Sequence, residues 1–72
     1  MINSQPLISV IMGIYNCADT LAESLDSLLA QTYQNFELFV FDNGSTDNSW
    51  EVIDSFSDSR MTKIRLIISK YI

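Results

Sequence analysis

Apolar residues along the chain fall into three dense runs separated by two stretches of helical spacing. Leu7–Ile14 (LISVIMGI), Phe36–Phe41 (FELFVF) and Lys63–Ser69 (KIRLIIS) are rich in β-branched and aromatic residues and short enough to be strands. Between the first two, Leu21, Leu25, Leu28 and Leu29 recur on one helical stripe, with Ala18 and Ala22 on its flank. Glu23, Asp26 and Ser27 fall on the opposite side, so the segment reads as an amphipathic helix of about three or four turns. Thr20 and Glu23 fit a capping box, and Asn16 or Asp19 is an equal candidate for the cap. Trp50, Ile53 and Phe56 mark a second, shorter helix with Ser45, Thr46 or Asp47 as its start signal.

The order strand, helix, strand, helix, strand implies an α/β fold: a three-stranded parallel sheet in βαβαβ order, joined by right-handed crossovers. Strands laid down successively in one direction place both helices on the same face. The strands are nonetheless apolar on both sides, the signature of a sheet buried twice over. The expectation is therefore an incomplete, partial domain over residues 1–72 whose second face needs a cover, either a missing C-terminal portion or a second copy in a homodimer.

The totals narrow the class. A chain of 72 residues buries only roughly 60% of its unfolded surface, which makes it marginal alone. With 47% apolar residues and three Gly plus Pro in all, it is too hydrophobic for a disordered segment. A single cysteine and no histidine exclude an internal disulfide framework and a Cys/His zinc site, and fit a reducing, cytoplasmic setting. No apolar run approaches the roughly 20 residues of a membrane span, and residues 1–6, expected to be flexible, have no signal-peptide pattern. The net charge is −5, with every acidic residue between Asp19 and Asp58. That balance argues against nucleic acid as a partner, because such binding neutralises phosphates with Lys and Arg. The basic residues Arg60, Lys63, Arg65 and Lys70 read as a solvated rim.

Ligands of parallel α/β sheets sit beyond the carboxyl ends of the strands. Two stretches fall there. In the first, Gly13 permits close backbone approach, Tyr15 offers a flat face for a base, and Asn16 offers an amide that can hold a loop or cap a helix. Turn chemistry accounts for Gly13 and Asn16 equally well. In the second, Asp42-Asn43-Gly44-Ser45-Thr46-Asp47, a carboxylate and an amide can read the edge of a base or ribose. A solvated turn explains Gly44, Ser45 and Asp47, but it explains less well a carboxylate at Asp42 directly after a largely apolar strand, where it needs partners. Cys17, with no His and no second Cys in the chain, reads as a small buried residue.

Taken in order, ISVIMGIYN, then TLAESLDSLLAQTYQNFELFVFDNGSTDNS, then a third strand resemble the N-terminal, nucleotide-binding portion of family 2 glycosyltransferases of the GT-A fold. The resemblance extends from about Leu7 to Ile68. It implies the Rossmann-like first half of a GT-A domain, with a nucleotide sugar, expected to be a UDP-sugar, lying across the two loops. Tyr15 matches the position whose ring packs on the base, and Asn43 the position where many members place an Asp that reads the uracil edge. Asp42 matches the acidic residue before it, while Asn16 and Gly13 complete the implied nucleotide-binding set. An amide at Asn43 can still accept a hydrogen bond from a uracil N–H, with less preference for uridine. Gly13 stands where many members have Pro, Thr or Ala. The resemblance further implies an inverting transfer to a hydroxyl acceptor, with Mg2+ or Mn2+ in the full enzyme. The metal motif and the catalytic base of the family have no counterpart in this sequence, so no catalytic or metal-ligating residue is assigned within the chain. Membrane association through other segments, at the cytoplasmic face, is compatible with this reading.

Other classes fit less well. A haloacid-dehalogenase-like phosphatase loop would need a second Asp where Gly44 stands, and no GxGxxG opens the first helix for a dinucleotide. The non-enzyme alternative is a small α/β interaction module, or a remnant, that dimerises through the bare sheet face.

Overall fold

The computed structural model describes residues 6–66. The elements follow in the order β1 (Ile8–Ile14), α1 (Ala18–Leu29), β2 (Phe36–Asp42), α2 (Ser49–Asp54) and β3 (Met61–Arg65). The sheet is parallel throughout, in the order β1-β2-β3, and this bears out the expected architecture of a partial Rossmann-like domain. Ile8 pairs with Phe36 and Ile14 with Asp42, so β1 and β2 end level with each other. Asp42 in turn pairs with Arg65.

One face of the sheet carries the core. Phe36, Leu38 and Val40 of β2 alternate inward, where with Ile14 they meet Leu21 and Leu25 of α1 and Ile53 of α2. Leu28, Leu29, Trp50, Val52 and Phe56 pack around this cluster, half-buried. Fully burying an aliphatic side chain such as Leu21, Leu25 or Leu38 contributes about 1.5–3 kcal/mol. The alternate residues point the other way. Ile11 is 72% exposed, Phe39, Phe41 and Ile64 are half-buried, and Leu66 is exposed, so the second face is an apolar surface without a covering layer among the described residues. On this face Ser9 donates a hydrogen bond of 2.5 Å to Glu37 across the two strands.

Several boundaries and contacts differ from the expectation. The third strand begins at Met61, two residues early, because Asp58 turns the chain back through the Met61 N–H, 3.0 Å from its carbonyl. Residues 67–69 of the expected strand lie outside the described residues, as do residues 1–5 of the expected flexible start. The carbonyl of Pro6 accepts a hydrogen bond from the Tyr33 hydroxyl. The second helix stops at Asp54, and Phe56 reaches the core from beyond its end. Cys17 is half-buried, against the edge of the core.

Arg60 is not part of a solvated rim. Its guanidinium donates to Asp58 (2.8 and 3.0 Å), to Gln34 Oε1 (2.8 Å) and to the Leu29 carbonyl at the end of α1 (3.2 Å), and it lies 4.5 Å from the Phe36 ring centroid. A planar fork with five donors can join a helix end, a loop and a strand in this way. Lys63 donates to the Asp54 carbonyl, and Arg65 sits 5.4 Å from the centre of the Trp50 ring. Lys70 lies outside the described residues. The side-chain and backbone hydrogen bonds from Arg60 hold the Asp58 carboxyl down from 3.8 to about 2. A depressed carboxyl stabilises the fold above its unfolded value and loses that contribution as pH falls through the folded one. Thermal melts should therefore show an Asp58→Asn variant below wild type at neutral pH, with the gap closing between pH 3.8 and about 2. A gap that persists unchanged at pH 2 would contradict this role.

Candidate functional site

Because β1 and β2 end in register, the loops after them emerge side by side. The Asn43 N–H donates to the Ile14 carbonyl at 2.8 Å, which extends the sheet by one bond and places Tyr15 and Asn43 each just past the end of its own strand. Tyr15 is 60% exposed and Asn43 is exposed. A Cβ on Gly13 would lie 3.5 Å from Asn43 Nδ2, ordinary van der Waals contact, so alanine fits at this position. Among the described residues the structure thus gathers all five expected residues, Gly13, Tyr15, Asn16, Asp42 and Asn43, at one sheet edge.

Asp42 is fully buried. Its Oδ1 accepts the Ser45 N–H at 3.0 Å and closes a turn in which Gly44 has φ 78°, the left-handed region that favours glycine. Its Oδ2 is also buried and has no hydrogen-bond partner among the described residues. Native structures rarely leave a buried carboxyl oxygen without a donor, since the desolvation is then uncompensated. This atom is the chemical anomaly of the site.

Asn16 also sits in the left-handed region, with φ 48°, which Asn tolerates better than other side chains. From there its Oδ1 accepts the Thr46 N–H at 2.7 Å and the Asp47 N–H at 3.3 Å, while its own N–H donates to Ser45 Oγ at 2.9 Å. Its side chain is used to tie the two loops together, the loop-holding role weighed in the sequence.

The start of α1 departs from the expectation in an instructive way. Its cap position is Cys17, and no side chain of its own segment caps it, neither Thr20, Asn16 nor Asp19. Its N–H groups donate instead to acceptors after β2: the Cys17 N–H to Oγ of Ser49, the first residue of α2, at 3.1 Å, and the Ala18 N–H to Oδ2 of Asp47 in the second loop at 3.2 Å. Asp47 Oδ1 in turn accepts the Ser49 N–H at 2.9 Å and its hydroxyl at 2.6 Å. The Ser49 hydroxyl bond, with backbone donors from Ser49 and Ala18, holds the Asp47 carboxyl below its ordinary value. Ser49, fully buried, and Asp47 as a shared cap of α1 were not singled out in the sequence, because their partners lie about thirty positions away.

No group of three or more His, Cys, Asp or Glu side chains among the described residues could hold a metal ion. No step through a metal is assigned to these residues. No described helix is long and apolar enough to cross a membrane.

Residues 9–70 match the family described as glycosyl transferase family 2. This chain belongs to that family, in keeping with the parallel sheet and with loops set at its carboxyl edge. EpsE of Bacillus subtilis (strain 168), which carries a glycosyltransferase name, is 47% identical over 68 residues, covering 94% of this chain and 24% of that protein. The UDP-Glc:alpha-D-GlcNAc-diphosphoundecaprenol beta-1,3-glucosyltransferase WfaP of Escherichia coli is 42% identical over 59 residues, 82% of this chain and 24% of its own length. The glycosyltransferase GlyG of Streptococcus pneumoniae serotype 4 is 52% identical over 50 residues, 69% of this chain and 17% of its own. The chain thus spans about a quarter or less of the length of these relatives.

Proposed function

We propose that this chain forms the donor-binding N-terminal part, residues 1–72, of an inverting glycosyltransferase that moves a sugar from a nucleoside diphosphate to a hydroxyl acceptor. The observation that carries the reading is the buried, unpartnered Oδ2 of Asp42, set at the strand ends beside Tyr15 and Asn43. A nucleotide can supply the N–H or ribose O–H donor that this atom lacks once the turn closed by the Ser45 N–H shifts to uncover it. Tyr15 provides the ring on which the base stacks, Asn43 reads the base edge, and Asn16 with Gly13 shapes the loop that receives it. A UDP-sugar is the donor that fits best, and the donor named for WfaP is of this kind.

Transfer by single displacement forms a bond from the acceptor oxygen to the anomeric carbon as the bond to the diphosphate breaks, and a carboxylate base takes the hydroxyl proton. The base, and the ligands of Mg2+ or Mn2+ that would stabilise the leaving diphosphate, belong to parts of the protein beyond these residues. The 72-residue piece by itself is not catalytic. The apolar face bearing Ile11, Phe39, Phe41, Ile64 and Leu66 favours a cover of further polypeptide from the same protein, and failing that a second copy. The protein works in the cytoplasm, where nucleotide sugars serve as donors.

Titration calorimetry of the full-length protein with UDP tests the reading. Tyr15→Ala should weaken binding roughly tenfold, the order expected for one base–aromatic stack. Unchanged affinity would remove Tyr15 from the site, and no UDP binding by the unaltered protein would sink the donor-binding reading.

A further inference from the structure

The two loops of the site are joined by side chains that no ligand needs to touch. Asp47 of the second loop and Ser49, the first residue of α2, supply the acceptors for the Ala18 and Cys17 N–H groups at the start of α1, and the first loop runs directly into that helix. Asn16 closes the same junction from the other side through Thr46 and Ser45. The bonds span residues 29 to 32 apart in sequence, so the separation of Tyr15 from Asn43 depends on them as well as on the sheet. Asp47 is the hub. One carboxylate oxygen takes the Ala18 N–H and the other takes both donors of Ser49. A carboxylate is an acceptor at both oxygens, which is what three converging donors require, and its negative charge is favourable at a helix N-terminus.

We infer that Asp47, acting through Ser49, is a positioning residue for the donor nucleotide: it locks the Tyr15 loop against the Asn43 loop and thereby sets nucleotide affinity without touching the ligand. The inference rests on the donor-binding reading above. Preorganised loops bind more tightly because the cost of ordering them is met during folding rather than on binding.

The test is Asp47→Asn in the full-length protein. This change keeps the shape and one acceptor for Ser49 but turns an N–H donor toward the Ala18 N–H. Nitrogen-15 NMR of the ligand-free protein should show the Ala18 and Cys17 amide resonances moving, with the Ala18 proton shifting upfield, while the Leu38 and Val40 amides of the central strand hold their positions. Calorimetry with UDP should then give roughly fivefold weaker binding. Glu23→Gln, the same loss of charge on the exposed side of α1, should leave both readouts at the values of the unaltered protein.

Moved amides with UDP affinity unchanged would overturn the inference, since the latch would then be structural alone. Equal weakening by Glu23→Gln would overturn it too, as an effect of net charge. Displacement of the Leu38 and Val40 amides would assign Asp47 to the fold as a whole and likewise overturn it. Absence of UDP binding in the unaltered protein is a separate result: it refutes the donor-binding reading, and this inference with it.

Discussion

Replacing Leu38 with alanine should cost about 3 kcal/mol and strip the isolated 72-residue chain of most of its stability at room temperature. Leu38 lies on the central strand, paired with Val10 on one side and Met61 on the other, and its side chain is fully buried under the helices. The core it belongs to has only seven buried hydrophobic side chains among the described residues. A cavity there has little surrounding structure able to relax into it, so the penalty falls within the usual range of about 2–5 kcal/mol for such truncations. Total stabilities of small domains are only on the order of 5 kcal/mol, so this one change removes most of the margin. Urea unfolding followed by circular dichroism should show the midpoint falling by about 2 M or more, given slopes near 1 kcal/mol/M for a chain of this size. Phe39→Ala, one residue along on the uncovered face, should move it far less. Equal effects from the two substitutions would mean that the helices do not define the core.

That contrast marks where the sequence stops being informative. The stripe of Leu21 and Leu25 was readable because α1 buries one side and offers Glu23, Asp26 and Ser27 to solvent. In β2, FELFVF is apolar at five of six positions, so alternation cannot tell Leu38 and Val40, which are enclosed, from Phe39 and Phe41, which are not. Only the packing of both helices on one side decides it. The order of elements did predict that both helices share a face, since successive parallel strands joined by right-handed crossovers allow no other arrangement.

The caps failed for a different reason. The acceptors used at Ala18 and Cys17 are not within a few positions in sequence: Asp47 and Ser49 come from the next crossover. Arg60 misled through its charge. A basic residue in a polar stretch reads as solvated, yet its donors have four acceptor atoms on Asp58, Gln34 and Leu29 within reach. At the site itself the clearest sign was local: a carboxylate at Asp42 directly after an apolar strand had to be either exposed or partnered. The structure encloses it and satisfies only one oxygen.

Asp42→Asn should change stability and nucleotide affinity in opposite directions. The substitution is close to isosteric, so the amide oxygen can keep the Ser45 N–H bond that closes the turn, now 3.0 Å in length, and the new amide nitrogen takes the place of the unpartnered Oδ2. Burying a neutral amide costs less than burying a carboxylate without a full set of donors, so the ligand-free protein should gain about 1 kcal/mol. The nucleotide would meet a donor where it had met an acceptor. Hydrogen bonds to a charged group contribute about 1.5–3 kcal/mol, and leaving the ligand's own donor unpaired adds to the loss. UDP affinity of the full-length protein should therefore fall roughly thirty- to a hundredfold. Melting temperature and calorimetry on the same preparation decide between the two roles open to this carboxyl. A higher melting temperature with much weaker UDP binding identifies Oδ2 as a ligand contact held at a cost to the fold. A lower melting temperature with UDP affinity unchanged would make Asp42 a structural turn residue and remove it from the site.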